Sequence, residues 1–320
     1  RESLSYNSHK FNHLHRLPFM STSAKWVLGI VVGFLTLGAL FVLLVFFSVL
    51  SLTDYDESTS TSGEKVALIE LKETIISSED IVRQFKKFRS NRSVRAIVFR
   101  VESPGGGVAA SQEIYEEVKK TRDSGKPVVV SMGAVAASGG YYVSCGADRI
   151  VANPGTLTGS IGVIFQFLNL NERLDKLGID ASTYKTGKYK DSGSPFRPPS
   201  AEDKRFFDQL LADVYDQFVD VVSKERKLDR AFVVRYADGR VFTGRQAKEW
   251  GFVDTLGTFE DAIAIAGEMG GISGKPAVVK ERKRQSLWEL FLGTAASGLA
   301  GIRDELFHQP IIQYKFTSPF

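Results

Sequence analysis

Residues 95–107, RAIVFRVESPGGG, and residues 128–145, VVVSMGAVAASGGYYVSC, share one pattern that indicates the fold class. Each begins with a run of apolar residues that predicts a strand, continues into a turn of glycine and other small residues, and then enters a predicted helix. Strands that are apolar throughout suit a sheet covered on both faces. The sequence therefore predicts an α/β domain built from parallel βαβ units with right-handed crossovers.

The same alternation of strand and helix extends outward from these two stretches. We expect further strands at 65–71 and 149–152 and helices at 78–88 and 260–266. The clearest helix begins at Ser200, because serine is a good N-cap and apolar residues follow it at helical spacing.

An uncharged segment, residues 26–52, precedes the α/β region. As a helix it would be about 40 Å long, enough to cross a bilayer. A buried helix of a soluble protein and a cleaved signal peptide are the alternatives, and the length of the uncharged run argues against both. Basic residues dominate before the segment, whereas Asp54, Asp56 and Glu57 follow it. The positive-inside rule then predicts a single-pass protein of the cytoplasmic membrane, with its N-terminus inside and everything after the segment on the outer or periplasmic side.

These observations predict five regions. Met20 stands where a short cytoplasmic tail would start, so we interpret residues 1–19 as a start-site artefact or an extension. The Ser/Thr-rich stretch after the apolar segment is typical of a flexible linker. In order, the regions are a cytoplasmic tail (1–25), a transmembrane anchor (26–52), a linker (53–63), a globular domain (64–275) and a C-terminal tail of unknown role (276–320), in which residues 287–306 could form an amphipathic helix.

Composition excludes several classes of protein. Apolar residues make up 43% and charged residues 24% of the chain, with a net charge of only +4, which indicates a globular domain and no nucleic-acid partner. Cys145 is the single cysteine, which rules out an intrachain disulfide and a multi-cysteine metal site. The four histidines are His9, His13, His15 and His308, so the predicted domain contains none.

The glycine-rich stretch SPGGGV, residues 103–108, admits three interpretations. It could cradle a phosphate, although the spacing of the known phosphate-binding loops is absent. It could supply backbone amides to an oxyanion hole. It could also be a tight turn between a strand and a helix with no chemical role.

Ser138 stands among tiny residues between a predicted strand and a predicted helix, where it is either a nucleophile or a plain N-cap. A Ser-His-Asp triad would need a histidine beside it, and only His308, in the tail, is available on that side. A nucleophilic Ser138 therefore requires another base, such as a lysine whose pKa is lowered by burial. The segment KTGKYKDSGSPF, residues 185–196, offers three lysines, which could equally be ordinary solvated surface residues.

These motifs together resemble the signal peptide peptidase A family, also called protease IV, whose members are Ser-Lys proteases. The matching stretches run in the family's order and cover most of residues 65–267: SPGGGV (103–108), MGAVAASGGYYVSCGAD (132–148), TGSIGV (158–163), GKYKDSGSPF (187–196) and DGRVFTGRQAKEWGFVD (238–254). The resemblance implies a crotonase/Clp-protease-like ββα spiral domain, in the family's short form with one catalytic domain and an N-terminal transmembrane helix.

The resemblance also implies a role for each residue that matches a family motif. Ser138 would be the nucleophile and Lys190 the general base, with Lys188 as the runner-up. Ser160 would orient the lysine amine, and the amides of Gly106 and Gly139 would form the oxyanion hole. No metal or other cofactor is implied.

The implied function is that of a membrane-anchored serine endopeptidase that degrades membrane-derived peptides, such as cleaved signal peptides with small or apolar residues near the cut. The family's habit implies a homo-oligomeric ring, an octamer, in which one subunit can lend its lysine to a neighbour's serine. Two alternatives stay open on the residues alone. One is a non-catalytic membrane scaffold, and the other is an acyl-CoA hydratase or isomerase on the related fold, which would not need Ser138.

Overall fold

The computed structural model describes residues 22–53, 63–281 and 312–316, and the chain divides into two units. The described part of the N-terminal unit is one helix, α1 (Thr22–Thr53). Its stretch Lys25–Leu44 has a mean hydropathy of 2.8 and is unburied. Within the described residues, α1 is the one helix that is long and apolar enough to cross a membrane.

The second unit alternates strands and helices, as the sequence predicts. Its elements are β1 (Lys65–Lys72), α2 (Glu79–Ser90), β2 (Val94–Ser103), β3 (Gly105–Gly107), α3 (Val108–Asp123), β4 (Val128–Ala137), α4 (Gly139–Ser144), β5 (Arg149–Ala152), β6 (Leu157–Gly159), β7 (Ile164–Phe165), α5 (Asn171–Lys176), α6 (Ala201–Arg226), α7 (Arg230–Tyr236), β8 (Val241–Thr243), α8 (Gly244–Glu249), β9 (Thr255–Leu256), α9 (Phe259–Met269), β10 (Ala277–Lys280) and β11 (Ile312–Lys315).

The larger sheet has the order β10-β1-β2-β4-β5-β9, and all of these neighbours are parallel. Both faces are covered, because alternate residues of the central strands enter two separate clusters. Ile97 and Phe99 of β2 pack with α2 and α3, whereas Val98 packs with Val129 and with Ala262 of α9. This burial on both sides explains why the central strands are apolar at nearly every position.

Strand β4 extends beyond its predicted end. A turn was expected after Met132, but the strand continues through the small residues to Ala137. Its first half lies between β2 and β5, whereas its second half pairs with β6, so that Ala137 lies opposite Gly159. The small side chains allow the strand to change partners while it remains extended.

The glycines of SPGGGV also form a strand instead of a turn. Gly105–Gly107 pairs with β11, and β11 pairs with β7, which gives a second sheet in the order β3-β11-β7. The difference has a physical reason, since the partner strand comes from residues more than 200 positions away, beyond the reach of a local pattern.

Helix α6 begins as the sequence predicts. Ser200 is its N-cap, and its hydroxyl accepts a hydrogen bond from the amide of Asp203, whose carboxylate in turn accepts one from the amide of Ser200. By contrast, α5 buries none of its residues. The expected extension 1–19, nearly all of the expected linker and the amphipathic helix 287–306 lie outside the described residues.

Candidate active site

Ser138 lies at the junction of β4 and α4, at the carboxyl edge of the larger sheet. Its amide donates a hydrogen bond to the carbonyl of Gly159 at 2.7 Å, and its own carbonyl accepts one from the amide of Tyr142 at 2.8 Å. The residue is only 1% exposed. Its backbone is therefore fixed from both sides, by a strand end and by the first turn of a helix.

The backbone of Ser138 has φ 53° and ψ −117°, a conformation that costs energy for any residue with a side chain. The hydroxyl makes no capping hydrogen bond to α4, so the plain N-cap interpretation does not describe this serine. A serine on a strained turn between strand and helix is a known way to present a nucleophile. There is no room for a side chain at Gly140, two residues after Ser138, since a methyl group there would lie 2.7 Å from the carbonyl oxygen of Ser103.

Ser160 leaves the sheet beside Ser138. Ala137 and Gly159 are paired across two parallel strands, and each of these residues is followed by a serine with positive φ. Ser160 has φ 50° and is 6% exposed, and its amide donates to the carbonyl of Arg240 at 2.8 Å. The structure thus brings the expected nucleophile and the expected lysine-orienting serine to one edge of the sheet.

The backbone of Gly105–Gly107 is held on one side by Ile75. The amide of Ile75 donates to the carbonyl of Gly105, and its carbonyl accepts from the amide of Gly107, both at 2.8 Å. A methyl group on Gly106 would overlap the carbonyl oxygen of Ile75 and lie 2.6 Å from its nitrogen. The carbonyl of Gly105 and the amide of Gly107 thus point to Ile75. The amide of Gly106 points the opposite way, towards β11.

Gly139, which follows the expected nucleophile, is equally confined. A methyl group there would lie 2.7 Å from Oγ of Ser111 and 3.0 Å from the carbonyl oxygen of Tyr314. A methyl group on Gly105 would overlap that same carbonyl oxygen and lie 2.6 Å from the amide nitrogen of Gly139. Gly106 and Gly139, the two expected oxyanion donors, therefore both lie close to one carbonyl group, that of Tyr314.

Lys190 belongs to a segment that we call the lysine loop (residues 185–197). No residue of this loop is buried. Within the described residues, the amine of Lys190 forms no hydrogen bond or ion pair, so it is not joined to Ser138 or Ser160 in the single chain.

The other two lysines of the loop are engaged in ion pairs. Nζ of Lys188 lies 2.6 Å from a carboxylate oxygen of Glu202, which raises the pKa of Lys188 and favours its charged form. Lys185 pairs with Asp191. The contact of Lys188 therefore disfavours the neutral amine that a general base requires.

A charged cluster that was not predicted from the sequence holds the lysine loop against α6. The guanidinium of Arg197 donates two hydrogen bonds to Asp191, both at 2.9 Å, and two to Asp203, at 2.6 and 3.2 Å. Ser192 also donates to Asp203. These contacts hold the pKa of both carboxyls well below the usual value of 3.8, and the hydrogen bonds from Arg197 are the largest cause. The sequence signal that could have predicted this cluster is the placement of acidic residues on either side of Arg197.

The described residues contain no cluster of three or more His, Cys, Asp or Glu side chains that could hold a metal ion. Cys145 is buried in the core, and its burial raises the pKa of the thiol to about 12. That thiol is therefore protonated near neutral pH, and it is not an activated nucleophile.

Two protein-family models match this chain and indicate the class of protein. The family model for Clp protease matches residues 63–155, which agrees with the layered parallel sheet, and the predicted Clp-protease-like α/β fold is confirmed. The model for peptidase family S49 matches residues 120–272, a range that includes Ser138, Ser160 and the lysine loop.

Individual relatives identify the family. A candidate protease of Synechocystis, slr0021, is 42% identical over 214 residues, which are 67% of this chain and 77% of that protein. A candidate signal peptide peptidase of Enterococcus faecium, SppA, is 42% identical over 185 residues, or 58% of this chain and 54% of the relative. Protease 4 of Haemophilus influenzae is 36% identical over 64% of this chain, which spans only 35% of that longer protein. The chain belongs to peptidase family S49.

Proposed function

We propose that this chain is a serine endopeptidase in which Ser138 is the nucleophile and Lys190 the general base. The observation that carries the proposal is the conformation of Ser138. It is held in a strained turn with no capping bond, beside two glycines, Gly106 and Gly139, that both lie close to one peptide carbonyl. Such an arrangement is suited to acyl transfer, in which a hydroxyl attacks a carbonyl whose oxygen is stabilised by amide donors.

The first half of the reaction forms an ester. The neutral amine of Lys190 takes the proton of the Ser138 hydroxyl while Oγ bonds to the substrate carbonyl carbon, and the carbonyl electron pair moves to oxygen. The amides of Gly106 and Gly139 stabilise this oxyanion. When the carbonyl re-forms, the C–N bond breaks and the leaving amine takes the proton from Lys190, so that the acyl group remains on Ser138.

The second half consumes water. Lys190, again neutral, takes a proton from a water molecule, whose oxygen attacks the ester carbonyl. Collapse of the second tetrahedral intermediate breaks the bond to Oγ, and Lys190 returns the proton to Ser138. The product is a carboxylic acid, and no metal or redox partner takes part. Ser160 orients the lysine amine throughout.

Lys190 must be neutral to act in this way, and burial is the usual reason that a lysine amine loses its charge. The lysine loop is not buried within one chain. We propose that a neighbouring copy covers the loop, in a homo-oligomeric ring such as an octamer. Exposed apolar residues in the preceding segment, among them Leu168 and Leu177 at 70% and 72% exposure, support such an interface.

We further propose that α1 anchors the chain in the cytoplasmic membrane, with the N-terminus inside and the protease domain, residues 64–275, on the outer side. The apolar composition of α1 and the charges that flank it support this orientation. Substrates would then be peptides derived from the membrane, including the remnants of cleaved signal peptides.

The test is cleavage of a denatured protein by the detergent-solubilised full chain, beside Ser138→Ala, Lys190→Ala and Lys188→Ala. We expect the first two substitutions to abolish cleavage with folding and assembly intact, and Lys188→Ala to retain it. Cleavage by Ser138→Ala at the parental rate would contradict the proposal and favour the scaffold or acyl-CoA alternative. Loss in Lys188→Ala but not in Lys190→Ala would move the base to Lys188.

A further inference from the structure

A cavity of about 390 Å³ opens at the amino edge of the larger sheet, the edge opposite Ser138. Val94 begins β2 and Pro127 directly precedes β4, and both residues line the cavity. Ser90 and Met269, the last residues of α2 and α9, line it as well. The cavity is therefore separate from the candidate active site.

The side chains around this cavity, which we call the basic cavity, carry an excess of positive charge. Its lining includes four cationic residues, which are Arg89, Arg92, Arg95 and Lys126. Among the described residues, no aspartate or glutamate lines it. Two of the cations have a carboxylate partner outside the lining: Arg89 pairs with Glu117 at 2.5 Å and Arg95 with Glu64 at 3.4 Å. Four cations and two carboxylates leave an excess of two positive charges, which attracts an anion into the cavity.

Several N–H donors of these side chains have no partner in the described part of the chain. The amine of Lys126 donates to two carbonyls at the end of α2, at 2.6 and 2.7 Å, so one of its three protons remains. Nε of Arg95 donates to the carbonyl of Gly270 at 3.2 Å, whereas its terminal nitrogens form no hydrogen bond with a described residue. Arg92 is exposed, and its guanidinium forms no hydrogen bond or ion pair within the ranges that the structure describes.

Capping of the helix ends explains only part of this arrangement. Carbonyl groups at the end of a helix attract cations, which accounts for the contacts of Lys126 and Arg95. It does not account for Arg92, and it does not offset the repulsion among the cations. Burial, followed by the charge of Arg95, lowers the pKa of Lys126. A bound anion would oppose both effects, because it favours the charged amine.

We propose that the basic cavity binds a phosphate group that is a free phosphate or a monoester, through the guanidinium groups of Arg92 and Arg95 and the amine of Lys126. Such a group carries a charge of about −1.5 to −2 near neutral pH, and its oxygens accept hydrogen bonds from several directions. That charge matches the excess of two positive charges at the cavity. A carboxylate has a single charge and two oxygens in one plane, so it would leave a cation uncompensated.

The phosphate group has two possible sources, which the chain's connectivity brings together. The chain enters the domain next to the basic cavity, since the amide of Lys65 donates to the carbonyl of Ser93 at 2.8 Å. Lys65 begins the first strand after α1, the helix proposed to anchor the chain. One source is a phosphate compound in solution, and the other is the headgroup of a phosphomonoester lipid. The inference does not depend on the proposed peptidase activity, because the cavity lies at the other edge of the sheet.

The first experiment measures binding of inorganic phosphate and pyrophosphate to the detergent-solubilised full chain with Ser138→Ala, a substitution that prevents self-digestion. Ionic strength is held constant with sodium chloride, because salt screens exposed charges. Hydrogen–deuterium exchange reports on residues 89–95 and 125–127, which contain most of the lining. We expect saturable protection of both segments, half-complete at about 1 mM anion or less. Residues 149–152 should not respond.

Arg92→Glu is the variant that tests the site, because Arg92 forms no hydrogen bond or ion pair with a described residue and its replacement should leave the fold intact. We expect binding to weaken at least about tenfold, since an attraction becomes a repulsion. Arg245→Glu is the matched control, with the same change of charge at an exposed arginine of α8 that does not line the cavity. Its half-saturation should stay within about twofold of the parent. Equal weakening by the two variants would overturn the inference.

A second arm identifies the source of the phosphate group. The same chains are placed, in phosphate-free buffer, in nanodiscs of phosphatidylcholine mixed in equal parts with phosphatidic acid or with phosphatidylglycerol. Protection of the two segments by phosphatidic acid and not by phosphatidylglycerol, lost in Arg92→Glu and kept in Arg245→Glu, would identify a lipid headgroup. Protection by inorganic phosphate or pyrophosphate alone would identify a phosphate compound in solution. Absence of protection by inorganic phosphate, pyrophosphate and phosphatidic acid would overturn the inference.

Discussion

The two halves of the proposed catalytic pair are built in different ways. On the serine side, which we define as residues 105–107, 136–140 and 158–160, every residue is buried. The lysine loop contains no buried residue. Its own Arg197 lies between the carboxylates of Asp191 and Asp203 and holds the loop in place. One half is fixed by the sheet and by close backbone contacts, the other by ion pairs near the surface.

The single chain thus fixes the proposed nucleophile and the proposed oxyanion amides firmly, whereas the proposed base belongs to a segment that is held only near the surface. Steric confinement around glycine fixes amide directions independently of salt and of pH near neutrality. Exposed ion pairs, by contrast, contribute little by themselves and weaken with salt. A surface that covers the lysine loop would supply both the missing burial and the missing rigidity.

The largest effect is expected from Gly106→Ala on the serine side. The added methyl group would overlap the backbone of Ile75, so β3 would have to shift and the amide of Gly106 would lose its direction. We expect kcat/KM to fall about 100- to 1,000-fold, as for loss of one oxyanion donor. Initial-rate kinetics on a peptide that the parent chain cleaves would measure this.

Gly155→Ala is the matched control for that variant. Gly155 has no neighbouring atom within 4 Å of an added methyl group, and its φ is not positive. Cleavage should therefore stay at the parental rate. Equal kinetics for the two glycine variants would show that the close contact at Gly106 does not matter to the reaction.

A smaller effect is expected from Asp203→Asn, which removes the charge that Arg197 contacts at the start of α6. The lysine loop should become less well positioned, and we expect kcat to fall about tenfold with KM nearly unchanged, because positioning of a base acts on the chemical step. Asp216→Asn on the same helix is the control, since its pair with Arg230 is exposed. If both variants kept full kcat, the charged cluster would have no part in positioning Lys190.

The smallest of the expected effects is that of acidification on the stability of the lysine loop, which should not change near neutral pH. Because the pKa of Asp191 and Asp203 lies below 3.8 in the folded loop, the opened loop takes up protons first as the pH falls. The stabilisation of the lysine loop should therefore be complete above about pH 5 and decline as the pH falls through 3.8.

Hydrogen–deuterium exchange of the Ser138→Ala chain at pH 7, 5 and 3, corrected for intrinsic rates, measures this decline. Protection of the lysine loop should fall at pH 3, whereas protection of residues 94–103 should persist. Loss of protection in the loop between pH 7 and pH 5 would contradict the assignment of its stability to these two carboxyls.

The parts of the fold that depend on local pattern could be predicted from the sequence. The expected strand 149–152 has the observed ends of β5, and Ser200 is the N-cap of α6 as expected. Both depend on information within a few residues, either apolar composition or capping chemistry.

The parts that depend on distant partners could not be predicted in this way. SPGGGV was expected to turn, but it forms a strand because residues 312–315 supply the other edge. The tail did contain a signal, since Ile312, Tyr314 and Phe316 alternate with polar residues as in a half-buried strand. That pattern indicates a strand without indicating which edge it joins.

The candidate site likewise contains some features that local sequence patterns predict and others that depend on distant parts of the chain. Ser138 and Ser160 lie at one edge of the sheet, whereas the catalytic roles of both serines and the place of Lys190 relative to them remain predictions. The contact of the tail with this site could not be predicted, because Tyr142 and Phe218 are ordinary core residues by pattern and Tyr314 reaches them from a distant part of the chain.

The most direct test of the Ser-Lys account is covalent labelling of the full chain with a serine-reactive fluorophosphonate, followed by mass spectrometry of the labelled peptide. The account predicts one adduct, on Ser138, and a labelling rate that falls at least about 100-fold in Lys190→Ala, since loss of the base removes general-base catalysis. The unlabelled serine Ser144, also buried in α4, serves as the internal control. An adduct on another residue, or an unchanged labelling rate in Lys190→Ala, would contradict the account.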